Sequence, residues 1–180
     1  MKTKLLLLIV LLTFKSLTSY SQDTVDLTIH HDTRFLFVGD DRGNHVGTID
    51  IVVKLEIPLI KFPKSYIHFF PSIEYANLHK GSSSLHRSVL KRYAIGVGFV
   101  RKDLFFKKFN VGIAPHFGYI LRENKGASSL GLNIEVSYRL TKRFSLSYIH
   151  QIVERSDLTF LYNDTSNIKN SALLGFKVHL

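Results

Sequence analysis

Asp32, Arg34, Asp50, Lys54, Glu56, Glu74, Glu135, Arg139 and Lys177 all occupy the polar positions of stretches that alternate polar and apolar residues. Charges of both signs on one face could relay protons or gate an ion path. An unpaired charge away from water is costly, so the plainer reading is a network that neutralises itself. The histidines offer no better chemistry. Only His30 and His31 are adjacent, and neighbours on an extended strand point to opposite faces, so neither a metal nor a cofactor is expected. There is no cysteine, hence no disulfide and no lipid-modified N-terminal cysteine.

The element that must position these charges is a β-strand. Leu130, Leu132, Ile134, Val136, Tyr138 and Leu140 alternate with Gly131, Asn133, Glu135, Ser137 and Arg139, a period of two that no helix can present on one face. Thr141 to Arg143 form a turn and alternation resumes with Phe144, Leu146 and Tyr148, which makes a hairpin. The same unit recurs along the chain. Thr28 to Val38 reads as a first strand, with Phe35 and Phe37 on its apolar parity, and Gly47 to Ile57 as a second. A linker holding Pro58 and Pro63 precedes a third at Ile67 to Ala76, where Pro71 predicts a bulge or local bend. Tyr93 to Phe99, Phe109 to Tyr119 and Ala172 to Leu180 complete a set of eight with the hairpin.

Met1 to Ser21 carries Lys2 and Lys4, an apolar core from Leu5 to Leu12, and small residues before Gln22. This is the form of a cleaved secretory signal with a core too short to cross a membrane, leaving residues 22–180 as one barrel domain. Its loss removes three lysines and no acid, so the formal charge falls from +10 to +7. Eight alternating strands behind an export signal predict an all-β, eight-stranded antiparallel up-and-down barrel that spans a membrane. Every backbone group within lipid needs a partner in the protein, so such a sheet must close. Eight strands leave a lumen that side chains fill.

Alternation alone also suits a soluble barrel of the lipocalin kind, with the faces reversed. Composition favours lipid outside. Gly96, Gly98, Gly112, Gly118, Gly131 and Gly175 share the polar face with the charges, as a crowded lumen requires. The apolar face is nearly free of charge, and one lipid-facing Lys or Arg at the midplane costs roughly 2–4 kcal/mol. With both termini periplasmic, the inner turns are Pro58 to Ser65, Arg101 to Lys108 and Thr141 to Arg143. The outer loops are Gly39 to His45, His79 to Ser88, Arg122 to Ser128 and Arg155 to Lys169. Aromatic belts follow, with Phe99, Phe109, Tyr138 and Phe144 inside, and Phe35, Phe37, Tyr75, Tyr93, Phe117 and Tyr119 outside. The basic inner turns suit inner-leaflet phosphates rather than nucleic acid. Arg42, Lys80, Arg87, Lys91, Arg92, Arg122, Lys125, Arg155 and Lys169 could meet lipopolysaccharide phosphates. Phe160-Leu161-Tyr162 is an apolar cluster in a polar outer loop, a candidate contact for lipopolysaccharide or an external partner.

Across the mature sequence the chain resembles the small eight-stranded outer-membrane barrel proteins. The segment that carries this most specifically is Ala172 to Leu180, which is similar to the final strand those proteins offer to the outer-membrane assembly machinery, although it ends in Leu180 where the family usually has an aromatic. The resemblance implies a bacterial outer-membrane location, a monomer, and no enzymatic activity. One branch of such barrels, the lipid A deacylases, implies an alternative: a lipid-facing His and Ser two apart on a late strand, with a downstream acid. His150 has the outward parity and Glu154 or Asp164 could serve as the acid, but Ile152 fills the serine position. Without a nucleophile the esterase has no first step.

Overall fold

The computed structural model describes residues 25–40, 43–79, 87–162 and 168–180. The signal segment 1–21 and Asp164 lie outside them, and so do the side chains of Phe160, Leu161 and Tyr162. Eight strands pair in sequence order into a closed antiparallel barrel: β1 (Asp26–Asp32), β2 (Asp50–Phe62), β3 (Ser65–His79), β4 (Arg87–Leu104), β5 (Phe109–Arg122), β6 (Lys125–Arg139), β7 (Phe144–Glu154) and β8 (Ile168–His179). Closure is made by β1 against β8, from Asp26 opposite His179 to Asp32 opposite Leu173. Stepping between paired residues from Leu121 through Lys91, Tyr75, Ile51, His31, Leu174, Tyr148 and Val136 returns to β5 at Val111, ten residues along the strand (121 to 111). This stagger tilts the strands, and so brings inward side chains from distant parts of the chain to one level. Val25 and Leu180, the first and last described residues, lie together at one end of the barrel, called here the terminal end; the other is the loop end.

The strands are longer than alternation suggested and the connections shorter. β2 runs through Pro58 to Phe62, and Pro63-Lys64 alone join it to β3. The register shifts between Pro58 and Ile60, a bulge where the missing N–H of Pro58 leaves no gap in a regular ladder. Pro71 makes no bulge. It sits opposite Ile95 in unbroken register with β4, and the register with β2 is the same before it (Lys54 opposite Ser72) and after it (Ile57 opposite Phe69). The expected loop Arg122 to Ser128 is a two-residue turn, with Glu123 and Asn124 at φ 50° and 59°, the positive values that match a hairpin's twist.

The first strand departs most from expectation. It stops at Asp32, and Thr33–Phe37 turn into a short helix, α1. Asp32 caps it by accepting from the Arg34 N–H at 2.9 Å, and the Thr33 hydroxyl donates to the Ala172 carbonyl at 2.8 Å. Phe35 therefore swings inward, 2% exposed against Ala76, Leu78, Leu90 and Ile120, and is not part of an outer belt. The signal was present: His31 and Thr33 break the apolar parity where a capping Asp stands between them.

Apolar side chains face out and charged ones face in. Ile95, Phe117 and Phe176 are 54%, 54% and 58% exposed, while Lys54, Glu56 and Arg92 are 1–2% exposed. A soluble barrel would show the reverse. The inward glycines make room for rings: a Cβ on Gly96 would stand 2.5 Å from the Phe70 ring, and those on Gly98 and Gly131 would collide with His68 and His116.

Candidate functional site

Inside the barrel the inward charges fall into separate groups. The most closed is a four-membered ring built from β2, β6 and β8. Lys54 Nζ lies 2.5 Å from Glu56 and 2.7 Å from Glu135, and Lys177 Nζ lies 2.9 Å from Glu56 and 2.5 Å from Glu135. Each carboxylate holds both ammonium groups, so the ring sums to zero charge. Ser147 extends it, donating to Glu135 at 3.2 Å and meeting His30 Nε2 at 3.0 Å.

Toward the loop end, Arg92 Nε donates to Glu74 at 2.8 Å and its other arm meets His116 Nε2 at 2.9 Å. A guanidinium can only donate, so His116 accepts through Nε2 and carries its proton on Nδ1. Phe70 packs between His68 and His116, with ring centroids 5.6 and 6.2 Å away.

At the loop mouth Asp32 holds Arg34 at 2.5 Å. Arg34 rides on α1 with 40% of its side chain exposed, so it belongs to the rim rather than to the buried network. A second helix, α2 (Ser156–Tyr162), lies across the same mouth. Its Asp157 is clamped by Arg122 at 3.1 Å and Arg155 at 2.8 Å, and Leu158 beside it is buried. Burial alone would raise the Asp157 carboxyl, but the hydrogen bonds and charges of Arg155 and Arg122 outweigh it and hold the group below the usual carboxylate range. Asp50 is also buried here, and its Oδ1 has no hydrogen-bond partner among the described residues.

The terminal mouth holds an arrangement no sequence pattern pointed to. His179 Nδ1 meets Asp26 at 2.7 Å and its Nε2 meets the Ser145 hydroxyl at 2.9 Å, the connectivity of an acyl-transfer triad. Ser145 is fully buried, so no substrate reaches its oxygen. The three residues come from β1, β7 and β8 and fasten the seam where the barrel closes. Arg139 lies at this mouth as well, 41% exposed and 3.6 Å from Asp103, and takes no part in the ring.

His150 faces outward between Ile134 and Ala172. Ser145 and Ser147 on its strand are buried inward, and the Ser156 hydroxyl donates to the Ser128 carbonyl. Among the described residues no serine accompanies His150. Arg92 and Arg122, expected among the outer cations that meet lipopolysaccharide phosphates, are instead buried inward, each 2% exposed and paired with Glu74 and Asp157; Asp157, from a connecting segment, and Ser145–His179–Asp26 gave no signal.

No protein family model matches the chain and no curated protein does. Solved structures do. The outer membrane protein Ail of Yersinia pestis, determined in a phospholipid bilayer nanodisc, aligns with a TM-score of 0.56 at 11% identity, over 88% of this chain and 100% of Ail. Neisserial surface protein A, NspA, aligns with a TM-score of 0.52 at 12% identity, over 89% of this chain and 98% of NspA. At such identities the likeness is one of fold, and the fold is that of the small eight-stranded outer-membrane β-barrels.

Proposed function

We propose that this chain is an integral protein of the bacterial outer membrane, a non-enzymatic barrel with a side-chain-filled lumen, both termini in the periplasm, and a loop end that contacts lipopolysaccharide. The outward face of β4 carries the reading. Between Lys91 and Arg101 its outward positions are Tyr93, Ile95, Val97 and Phe99, each 44–54% exposed. Ten residues rise about 33 Å along a strand, or about 25 Å once tilted by roughly 40°, which is the height of the apolar band of such barrels. Charge therefore resumes where the headgroups would begin. Ile95→Arg is expected to lower the unfolding free energy, measured by urea titration in lipid vesicles, by about 2–4 kcal/mol. In a soluble barrel the same change at an exposed site would stay within about 0.5 kcal/mol, and a wild-type value together with detergent-free solubility would reject the membrane reading.

At the loop end Arg87 and Lys91 point outward beside Tyr75, Tyr93 and Tyr119, and Arg87 Nε donates to His79 at 3.2 Å. Cations just above an aromatic girdle stand at phosphate height. Phe160, Leu161 and Tyr162 belong to α2 at the same end and are proposed to join this contact, and Ala172 to Leu180 to serve as the segment the assembly machinery reads. A basic residue near an anionic lipid surface contributes about 1 kcal/mol. Arg87→Gln with Lys91→Gln should therefore weaken lipopolysaccharide binding to the barrel in phosphatidylcholine nanodiscs by about 2 kcal/mol, roughly thirtyfold. Unchanged affinity would move the contact off this face.

A further inference from the structure

At the terminal end the turn from β4 to β5 carries rings that nothing inside the fold requires. Phe106, at 92%, is the most exposed large apolar side chain among the described residues, and Phe105 beside it is 75% exposed. The backbone holds them there under strain. Phe105, Phe106 and Lys107 have φ of 34°, 58° and 58°, a left-handed region where Gly or Asn fits and a bulky side chain crowds its own backbone. Strain kept without burial points to a contact outside the fold.

The turn lies along the outward face of the barrel. The Phe105 ring meets the edge of Phe109 with centroids 6.5 Å apart, and Phe109 lies 4.9 Å from its cross-strand neighbour Tyr138. Phe109 shares the parity of exposed Ile113, and Tyr138 that of exposed Val136, so both rings point outward. Charge resumes on this face at Arg101, opposite Val111. Phe109 lies two residues nearer the end, about 5 Å along the barrel axis once the strand is tilted, and a headgroup layer is roughly 5–7 Å thick. The rings therefore stand at headgroup depth. Arg101, Lys107 and Lys108 are exposed and make no ion pair among the described residues. The Lys108 ammonium lies 5.7 Å over the Tyr138 ring, and the one acid of this turn region, Asp103, has Arg139 at 3.6 Å. Across the barrel, the same rim presents only aliphatic Leu27, Ile57 and Val178.

We infer that this turn, with the outward face of β5 and β6 beside it, is a binding site for an anionic phospholipid of the inner leaflet. The inference rests on the membrane reading given above. Rings at this depth cover the glycerol and upper acyl carbons, and the three cations take the phosphate, each contributing about fivefold. A zwitterionic headgroup would bring an ammonium among the same cations, so net negative charge is what the site selects.

The test places the full barrel in phosphatidylcholine nanodiscs doped with dilute phosphatidylglycerol that carries a nitroxide on one acyl chain, and reads the broadening of backbone amides by NMR. The amides of 105–109 and Tyr138 should broaden about threefold more than those of Leu27, Ile57 and Val178, and no more than those when the label rides on phosphatidylcholine. Lys107→Gln with Lys108→Gln should abolish the excess. Lys61→Gln with Lys64→Gln, an equal loss of charge from the neighbouring β2–β3 turn, should keep most of it. Phe105→Asn with Phe106→Gly supplies residues that suit the left-handed turn. It should also abolish the excess while thermal unfolding in zwitterionic detergent stays unchanged or shifts upward, the opposite of what a packing role for the rings would give. Should this variant not fold, the two lysine pairs decide. Mid-strand Ile95 and Ile113 separate the two readings. If their amides stay sharp with either labelled lipid, the membrane reading falls and the site with it. If they broaden while the turn shows no excess for phosphatidylglycerol, or while both lysine pairs lose it equally, the site is overturned and the membrane reading stands. A turn that neither lipid broadens, beside a broadened Ile95 and Ile113, is held clear of the leaflet, which overturns the lipid in favour of a soluble partner.

Discussion

Glu135→Ala is expected to lower the unfolding free energy of the barrel in vesicles by about 3–5 kcal/mol, because it breaks a buried charge ring by removing one member. The loss is not that of a single contact. Glu135 takes both Lys54 and Lys177, and without it two ammonium groups, only 1% and 3% exposed, share Glu56 alone, while Ser147 loses its acceptor. Removing charge in pairs should cost much less. Glu135→Leu combined with Lys177→Met leaves Lys54 with Glu56 at 2.5 Å and fills the space with apolar atoms, and replacing a buried ion pair by apolar groups of similar volume is often neutral or better. Urea titration of the three proteins gives the comparison, and the double variant should recover more than half of what Glu135→Ala loses. A Glu135→Ala barrel within 1 kcal/mol of the parent would show that the ring is hydrated rather than sealed.

Parity made this ring half legible in the sequence. Lys54, Glu56, Glu135 and Lys177 could each be placed on the inward face of a strand, because a strand has only two faces. That these four meet could not be read, since Lys54 and Glu135 are 81 positions apart and only the ten-residue stagger of the closed sheet brings them to one level. The eight strands were legible for the same reason as the parity, and their ends were not: polar residues near a barrel mouth alternate with nothing apolar, so Arg122 to Ser128 looked like a loop although it pairs tightly through Arg122 and Lys125. Phe35 was misplaced because parity was carried through a residue, Asp32, whose side chain ends the strand by capping a helix. The seam group of Asp26, His179 and Ser145 depends on which strands close the barrel, information held in no local pattern.

The loop mouth gives the second large effect. Asp157 lies between Arg122 and Arg155, and Asp157→Ala would leave two buried guanidinium groups without the carboxylate between them, again a loss of about 3–5 kcal/mol where the partners stay sealed. Here a less costly escape exists. The clamp ties a short helix, not a strand, to the barrel, so α2 should detach and let water reach Arg122 while the sheet stays closed. Hydrogen exchange, corrected for intrinsic rates, should then show lost protection in residues 156–159 with β4 and β5 unchanged. The acid response has a definite sign. Because the folded Asp157 carboxyl is held below its ordinary value, its contribution is complete above the unfolded value of about 3.9 and is lost as pH falls through the lower folded value. The helix should stay docked from pH 7 to pH 5 and loosen only below about pH 4, a transition that Asp157→Asn removes. Loosening between pH 7 and pH 5 would instead show that the Asp157 carboxyl is not what latches the helix.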